Sequence, residues 1–151
     1  MPSVPNIWQL AGMGTTVLVS DTGVMASGEQ ELRCLIVDDN PVFIEVATRL
    51  LERGSGISII GAASTIAEAI QRVEELRPDV TLVDVDLGGE SGFTLARELH
   101  RPNSHTRPKI ILISAHSERD FAKLIAASPA LGFVPKADLS PEAIYDLFAR
   151  A

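Results

Sequence analysis

Five side chains suited to phosphoryl transfer follow four separate apolar segments of the chain. Asp38 and Asp39 follow the first segment, and Asp84, Ser114 and Lys136 follow the other three. In an open parallel α/β sheet, ligands bind outside the carboxyl ends of the strands. If each segment is a strand, three acids, one hydroxyl and one ammonium converge at one edge of the sheet. The segments are Leu35–Val37, Thr81–Val83, Ile110–Ile113 and Gly132–Pro135.

Three carboxylates at neighbouring strand ends repel one another. At ~5 Å and an effective dielectric of ~20, each pair costs about 3 kcal/mol. A hard divalent cation offsets this cost, and Mg²⁺ binds carboxylate oxygens together with waters and a phosphate. The Lys136 ammonium supplies a fixed positive charge for the acceptor and its phosphoryl group, and Ser114 offers a hydroxyl donor. The set therefore indicates Mg²⁺-dependent phosphoryl chemistry.

Asp84 is the candidate nucleophile, because it lies between the other groups and precedes a glycine-containing turn at 88–92. A carboxylate that attacks phosphorus gives an acyl phosphate. Mg²⁺ and Lys136 would neutralise the charge of the transition state. Each of these residues alone is common in loops and helix caps; their joint order and positions after strands indicate a site.

Five strands that alternate with five helices are predicted from Leu32 onward. Asn40-Pro41, Thr65 with Glu68, and Ser140-Pro141 are typical helix starts, and Ser117 is expected to cap the fourth helix. That helix is expected to bury Phe121, Leu124 and Ile125. The alternation predicts a doubly wound, flavodoxin-like parallel sheet with the order 2-1-3-4-5. The predicted strands are Leu32–Val37, Ile57–Ala62, Val80–Val83, Lys109–Ile113 and Gly132–Val134.

The composition limits the classes of partner and compartment. The net charge of −7 argues against direct nucleic-acid binding, because that affinity depends largely on Lys and Arg contacts to phosphate. Cys34 is the single cysteine, so an intrachain disulfide is excluded and a reducing compartment is indicated. No apolar segment reaches transmembrane length, and we expect a cytoplasmic protein without membrane contact.

Residues 1–30 differ from the rest of the chain, since they contain no Lys or Arg and many Gly, Ser and Thr. We interpret them as a loosely ordered N-terminal extension that is dispensable for phosphorylation. An upstream start codon is the alternative, with Met25 as the true initiator. Residues 31–151 are predicted to form the functional domain.

Four short segments resemble those of the receiver domain of two-component response regulators, the CheY-like family. The first resembles the acidic pair after strand 1, and the second resembles the phosphoacceptor segment with its later glycine, here Gly92. The third resembles the Thr/Ser-Ala segment and the fourth the aromatic-then-lysine segment. The segments are Ile36–Asn40, Leu82–Leu87, Ile113–Ala115 and Gly132–Lys136.

The resemblance implies a role for each matching residue. Asp39, Asp84 and the backbone carbonyl of Asp86 would bind Mg²⁺, and Asp38 would assist through water. A histidine kinase or phosphotransfer protein would phosphorylate Asp84. Ser114 and Phe133 would form the switch pair. Helix 4, strand 5 and helix 5 would contact a downstream protein or a second copy of the chain.

The chain departs from the family pattern at two positions. Gly88 stands where receivers usually have proline, which implies a looser loop. Phe133 stands where tyrosine is common, so it offers no phenolic hydroxyl, and it could equally be a core aromatic. Receivers of this type are often joined to a LuxR-type output domain; because the sequence ends at Ala151, we expect either a stand-alone receiver without one or a truncated piece of a longer protein.

Asp86 and His116 are expected to set the lifetime of the phosphoryl group. They lie two residues after Asp84 and Ser114, where both could flank an attacking water, although His116 could equally be a solvated loop histidine. We expect self-catalysed phosphotransfer and slow autodephosphorylation rather than an enzyme with turnover. The alternatives are a haloacid-dehalogenase-like phosphatase, suggested by Asp84-x-Asp86, and a phosphate-independent interaction module.

Overall fold

The computed structural model describes residues 31–102 and 107–150, and the predictions for residues 1–30 lie outside this part of the chain. Five strands form one parallel sheet in the order β2-β1-β3-β4-β5. The predicted strand order is confirmed. The last four strands each extend one residue further than predicted. They are β1 Leu32–Val37, β2 Ile57–Ala63, β3 Val80–Asp84, β4 Lys109–Ser114 and β5 Gly132–Pro135.

Five α-helices connect and follow these strands. The predicted caps Asn40, Thr65 and Ser140 each accept backbone N–H groups of the first helical turn. Ser91 also caps its helix, through the N–H of Phe93. The helices are α1 Pro41–Glu52, α2 Ile66–Leu76, α3 Gly92–Leu99, α4 Ala122–Ala126 and α5 Pro141–Ala149.

The prediction for the fourth helix was partly wrong. Residues Glu118–Phe121 form a 3₁₀ turn, and the side chain of Ser117 makes no capping hydrogen bond. Its hydroxyl instead donates to Asp120 at 3.4 Å. The α-helical part has only five residues, and Leu124, expected in the core, is 52% exposed. A helix this short has too few turns to bury a continuous apolar face.

The two faces of the sheet pack against different helices. Along β1, Leu35 and Val37 belong to a core with α2 and α3, whereas Cys34 and Ile36 belong to a core with α1 and α5. This alternation follows from the two-residue period of a strand. Both faces are therefore buried, as expected for a parallel sheet.

The carboxyl ends of β1, β3, β4 and β5 reach the same edge of the sheet. Val37 pairs with Val83, and Asp84 pairs with Ile113. Ser114 pairs with Pro135, directly before Lys136. The residues that follow these pairs project beyond one edge, and that edge carries the predicted site. None of the helices within the described residues is long and apolar enough to cross a membrane.

Candidate functional site

Three carboxylates converge at the carboxyl edge of the sheet, as the sequence predicts. One oxygen each of Asp38, Asp39 and Asp84 can be chosen so that all three lie within 4.8 Å of one another. Asp38 is fully buried, Asp84 is 6% exposed and Asp39 is exposed. The cluster thus has two acids in the floor and one at the rim.

Lys136 provides the positive charge within this cluster. Its Nζ lies 2.7 Å from Oδ2 of Asp38 and 3.0 Å from Oδ2 of Asp84. The sequence predicted the contact with Asp84, but it did not predict the contact with Asp38. The ammonium also lies 4.3 Å from the centre of the Phe43 ring, where an aromatic face attracts a cation. The apolar pattern of α1 gave no signal for that contact.

A divalent cation fits the donor set of these three acids. Asp38 Oδ2 is at ion-pair distance from Lys136, yet it has no hydrogen-bond partner of acceptable geometry. Asp38 and Asp84 share one ammonium, so part of their buried negative charge is left uncompensated, which is costly in a protein interior. Three carboxylates and one ammonium leave an excess of negative charge, and all the side-chain donors are oxygens, the ligands that Mg²⁺ prefers.

Burial is the largest influence on the Asp84 carboxyl and raises its pKa. The N–H of Asp86 and the ammonium of Lys136 act in the opposite direction, while the charge of Asp38 adds to the rise. The net pKa of Asp84 lies above its usual value. Burial disfavours the Lys136 ammonium as well, but its contacts with Asp38 and Asp84 outweigh burial and raise its pKa. Lys136 is therefore charged at neutral pH.

Both oxygens of Asp84 have protein partners. Oδ1 accepts the backbone N–H of Asp86 at 3.1 Å, and Oδ2 accepts from Lys136. Gly92 lies behind the acid, because a Cβ there would meet the backbone oxygen of Asp84 at 2.1 Å. The candidate nucleophile is thus held in one orientation.

Ser114 and Phe133 occupy different surroundings. Ser114 is buried at the end of β4, and its Oγ accepts the N–H of His116 at 3.0 Å. Phe133 is 9% exposed, and its ring centre lies 6.3 Å from that of Phe121. The reading of Phe133 as a core aromatic is confirmed, and its role as a switch residue stays a prediction.

The side chains of Asp86 and His116 lie outside the carboxylate cluster. Asp86 is exposed and accepts the N–H of Gly88 at 3.2 Å through Oδ1. His116 is also exposed, and its ring forms a T-shaped pair with that of Phe121 at a centroid distance of 6.3 Å. The metal role predicted for the Asp86 carbonyl and the rate role of both side chains remain predictions.

Hydrogen bonds that the sequence did not predict fix the loop after Asp84. The N–H of Leu87 donates to the carbonyl of Glu90 at 2.9 Å. The carboxylate of Glu90 accepts the N–H of Ile66 at 2.9 Å, at the start of α2. Glu90 therefore connects the loop to a neighbouring helix. An acid in a glycine-containing turn gives no sequence signal for a contact 24 residues away.

Two curated relatives match 70% of this chain in sequence. Response regulator GacA of Pseudomonas viridiflava is 31% identical over 105 residues, which cover 70% of this chain and 48% of the relative. The DNA-binding transcriptional activator EvgA of Escherichia coli K12 is 32% identical over 105 residues, 70% of this chain and 50% of the relative. The chain thus spans about half the length of these relatives.

Two solved structures superimpose closely. A LuxR-family two-component response regulator from Aurantimonas sp. SI85-9A1 has a TM-score of 0.70 at 27% identity, covering 80% of this chain and 87% of that chain. A CheY-like receiver domain protein from Methanospirillum hungatei JF-1 has a TM-score of 0.62 at 22% identity, covering 81% and 93%, and it supports the fold alone. The family model of the response regulator receiver domain matches residues 34–148. This chain belongs to the response regulator receiver domain family.

Proposed function

We propose that this chain accepts a phosphoryl group on Asp84 in a Mg²⁺-dependent reaction and signals through protein contacts. The donor would be a phosphohistidine of a histidine kinase or phosphotransfer protein. The observation that supports this most strongly is the arrangement around Asp84, a nearly buried carboxylate held by Lys136 at 3.0 Å between two other acids.

The chemistry is an in-line transfer to a carboxylate oxygen of Asp84. A new O–P bond forms while the P–N bond to the donor imidazole breaks, and the electron pair of that bond stays on the nitrogen. Asp39, Asp84 and the carbonyl of Asp86 would hold Mg²⁺, with Asp38 assisting through water, and the bound ion would supply positive charge to the phosphoryl oxygens. Lys136 neutralises the carboxylate that attacks. The hydroxyl hydrogen of Ser114 can donate to the product, because its Oγ already accepts from His116.

The reaction leaves an acyl phosphate rather than a released product. Water later attacks its phosphorus and breaks the O–P bond, which releases inorganic phosphate and returns the carboxylate, so the chain acts on its own phosphoryl group without turnover of a separate substrate. A haloacid-dehalogenase-like phosphatase would turn over p-nitrophenyl phosphate continuously, which separates the two functions. A phosphate-independent module would have no need for an ammonium and two acids around Asp84.

Exposed apolar side chains support protein contacts as the output. Leu124 on α4 is 52% exposed and Tyr145 on α5 is 39% exposed. Both helices belong to the predicted output surface of α4, β5 and α5.

A second apolar surface lies on α1, where Val42, Val46 and Leu50 are exposed at four-residue spacing. Spacing of four places them along one side of the helix.

Acetyl phosphate tests the proposed function without a known kinase. With Mg²⁺, intact mass should show one added phosphoryl group, labile in alkali, and a chelator should prevent the addition. Asp84→Asn should abolish it, whereas Asp146→Asn, an exposed acid on α5, should label like the parent. Full labelling of Asp84→Asn would show that the acceptor is wrong.

A further inference from the structure

Gly88 lies directly against the carboxylate of Asp39. It is four residues after Asp84, in the loop between β3 and α3, and its φ is +64°. A Cβ built at this position would lie 2.6 Å from Oδ2 of Asp39. In this conformation the loop favours glycine for two separate reasons, the left-handed backbone and the close approach of Asp39.

We propose that Gly88 is a positioning residue for the divalent-cation site, which acts by leaving room for the Asp39 carboxylate beside Asp38 and Asp84. The inference rests on the Mg²⁺ dependence of the proposed function. Gly88 itself offers no ligand atom from a side chain. Its contribution is the space that a Cβ would fill on this left-handed backbone.

A side chain at position 88 would displace Asp39 rather than the loop. The loop is held by the Leu87–Glu90 hydrogen bond and by the contact of Glu90 with α2. Asp39 is exposed, so its carboxylate can rotate outward at little cost. Rotation inward would bring it closer to the other two acids, which repel it.

The displacement is large on the scale of metal coordination. The Asp39 oxygen must move about 0.8 Å to reach ordinary contact with a Cβ, which begins at 3.4 Å. Mg²⁺ demands near-ideal octahedral geometry, and ligand distances in real sites vary by only about 0.2 Å. A methyl group at position 88 should therefore weaken Mg²⁺ binding while it leaves the fold in place.

The chain offers two matched controls for the backbone strain of such a variant. Gly54 has a φ of +61°, and Gly89 has a φ of +104°; a Cβ at either position meets nothing within 4 Å. Gly54→Ala and Gly89→Ala therefore place alanine in the left-handed region without touching Asp39. Gly54 is the closer match to Gly88 in φ.

The experiment is calorimetric titration of each full-length variant with MgCl₂, together with its melting temperature without metal. Gly88→Ala should raise the Kd for Mg²⁺ about tenfold or more, the usual effect of losing a group that orients a ligand. Its melting temperature should match that of Gly54→Ala. Gly54→Ala and Gly89→Ala should bind Mg²⁺ like the parent. If Gly88→Ala does not fold, Gly88→Asn adds the same Cβ with a residue that tolerates this backbone.

Action through Asp39 is tested in an Asp39→Ala background. There, adding Gly88→Ala should leave the remaining Mg²⁺ affinity unchanged, because the displaced carboxylate is already gone. Provided that the parent binds Mg²⁺, the inference would be overturned by a double variant with a weaker Mg²⁺ affinity than Asp39→Ala. It would also be overturned by a Gly88→Ala protein that binds Mg²⁺ as tightly as Gly54→Ala. A parent that binds no Mg²⁺ would overturn both this inference and the proposed metal dependence.

Discussion

Removing Asp39 should stabilise the metal-free protein. The carboxylate repels two neighbours, Asp38 and Asp84, whose oxygens lie within 4.8 Å. Lys136 contacts those two acids, and its ion pairs do not include Asp39. Asp39→Ala therefore removes two repulsions and one attraction, that to the Lys136 ammonium, and retains both ion pairs, so the free energy of unfolding should rise without divalent cations.

The size of this gain follows from the distances and the exposure of Asp39. At 4.8 Å each repulsion is about 3.5 kcal/mol for an effective dielectric of ~20 and about 0.9 kcal/mol for water. Because Asp39 is exposed, solvent screens its side of the cluster. The attraction to Lys136 offsets about one of the two repulsions, so we expect the lower end for one pair, about 1 kcal/mol, which raises the melting temperature by about 3–6 °C.

Urea unfolding followed by far-UV circular dichroism measures the effect with a chelator and with saturating Mg²⁺. Metal binding stabilises the native state in proportion to affinity. The parent should therefore gain more from Mg²⁺ than Asp39→Ala, and the difference between them should shrink or reverse. High salt should reduce the metal-free difference, because it screens exposed charges.

Asp146→Ala serves as the control, since Asp146 is an exposed acid outside the cluster. Asp146→Ala should change the metal-free stability much less than Asp39→Ala does, and it should leave the response to Mg²⁺ unchanged. An Asp39→Ala protein that is less stable than the parent without divalent cations would refute the electrostatic reasoning. Equal Mg²⁺ affinity in variant and parent would refute the assignment of Asp39 as a ligand.

Three further perturbations have expected outcomes. The pKa of Asp84 is raised in the folded protein. Its protonated carboxyl therefore stabilises the fold fully below the ordinary pKa of 3.8, and this stabilisation is lost as pH rises through the folded pKa. In urea unfolding without metal, Asp84→Asn should therefore become more stable relative to the parent as the pH is raised from acid to neutral. Lys136→Met leaves Asp38 and Asp84 buried without their ammonium, and unfolding free energy near pH 7 should fall by about 3–5 kcal/mol, less in acid. Asp86→Asn and His116→Ala should change the decay of the phosphorylated protein more than Mg²⁺ affinity; decay within about twofold of the parent for both variants, ~0.4 kcal/mol in barrier, would exclude the role.

The convergence of the acids was predictable because it depends on strand ends alone. Asp38 and Asp39 follow β1, and Asp84 ends β3. An error of one residue in a strand boundary does not move a side chain away from the carboxyl edge of a parallel sheet. The order of the strands followed from the alternation with helices, so the contact of Lys136 with Asp84 was also predictable.

Contacts that depend on side-chain direction or on the sign of φ were not predictable. The second ion pair of Lys136 requires that Asp38 be fully buried and turned towards β5, and apolar patterning does not specify this. Glu90 reaches α2 only because the loop folds back. Glycine allows the positive φ of Gly88, but the presence of glycine in the sequence does not show that the residue adopts it. The prediction for the fourth helix was partly wrong because the apolar residues of its short segment show only a weak helical periodicity.

The charges of the site suggest why phosphorylation would alter its surroundings. Asp38, Asp39 and Asp84 with Lys136 have a formal charge of −2, which one divalent cation neutralises. Phosphorylation removes the carboxylate charge of Asp84 and adds about −2, so under the proposed function the loaded site becomes negative by about one charge. Such a charge beside the buried Asp38 and Asp84 requires a hydrogen-bond donor. Ser114 meets that need, since its hydroxyl hydrogen is free to turn towards the phosphoryl group, and any movement of Ser114 would shift the end of β4 beside β5.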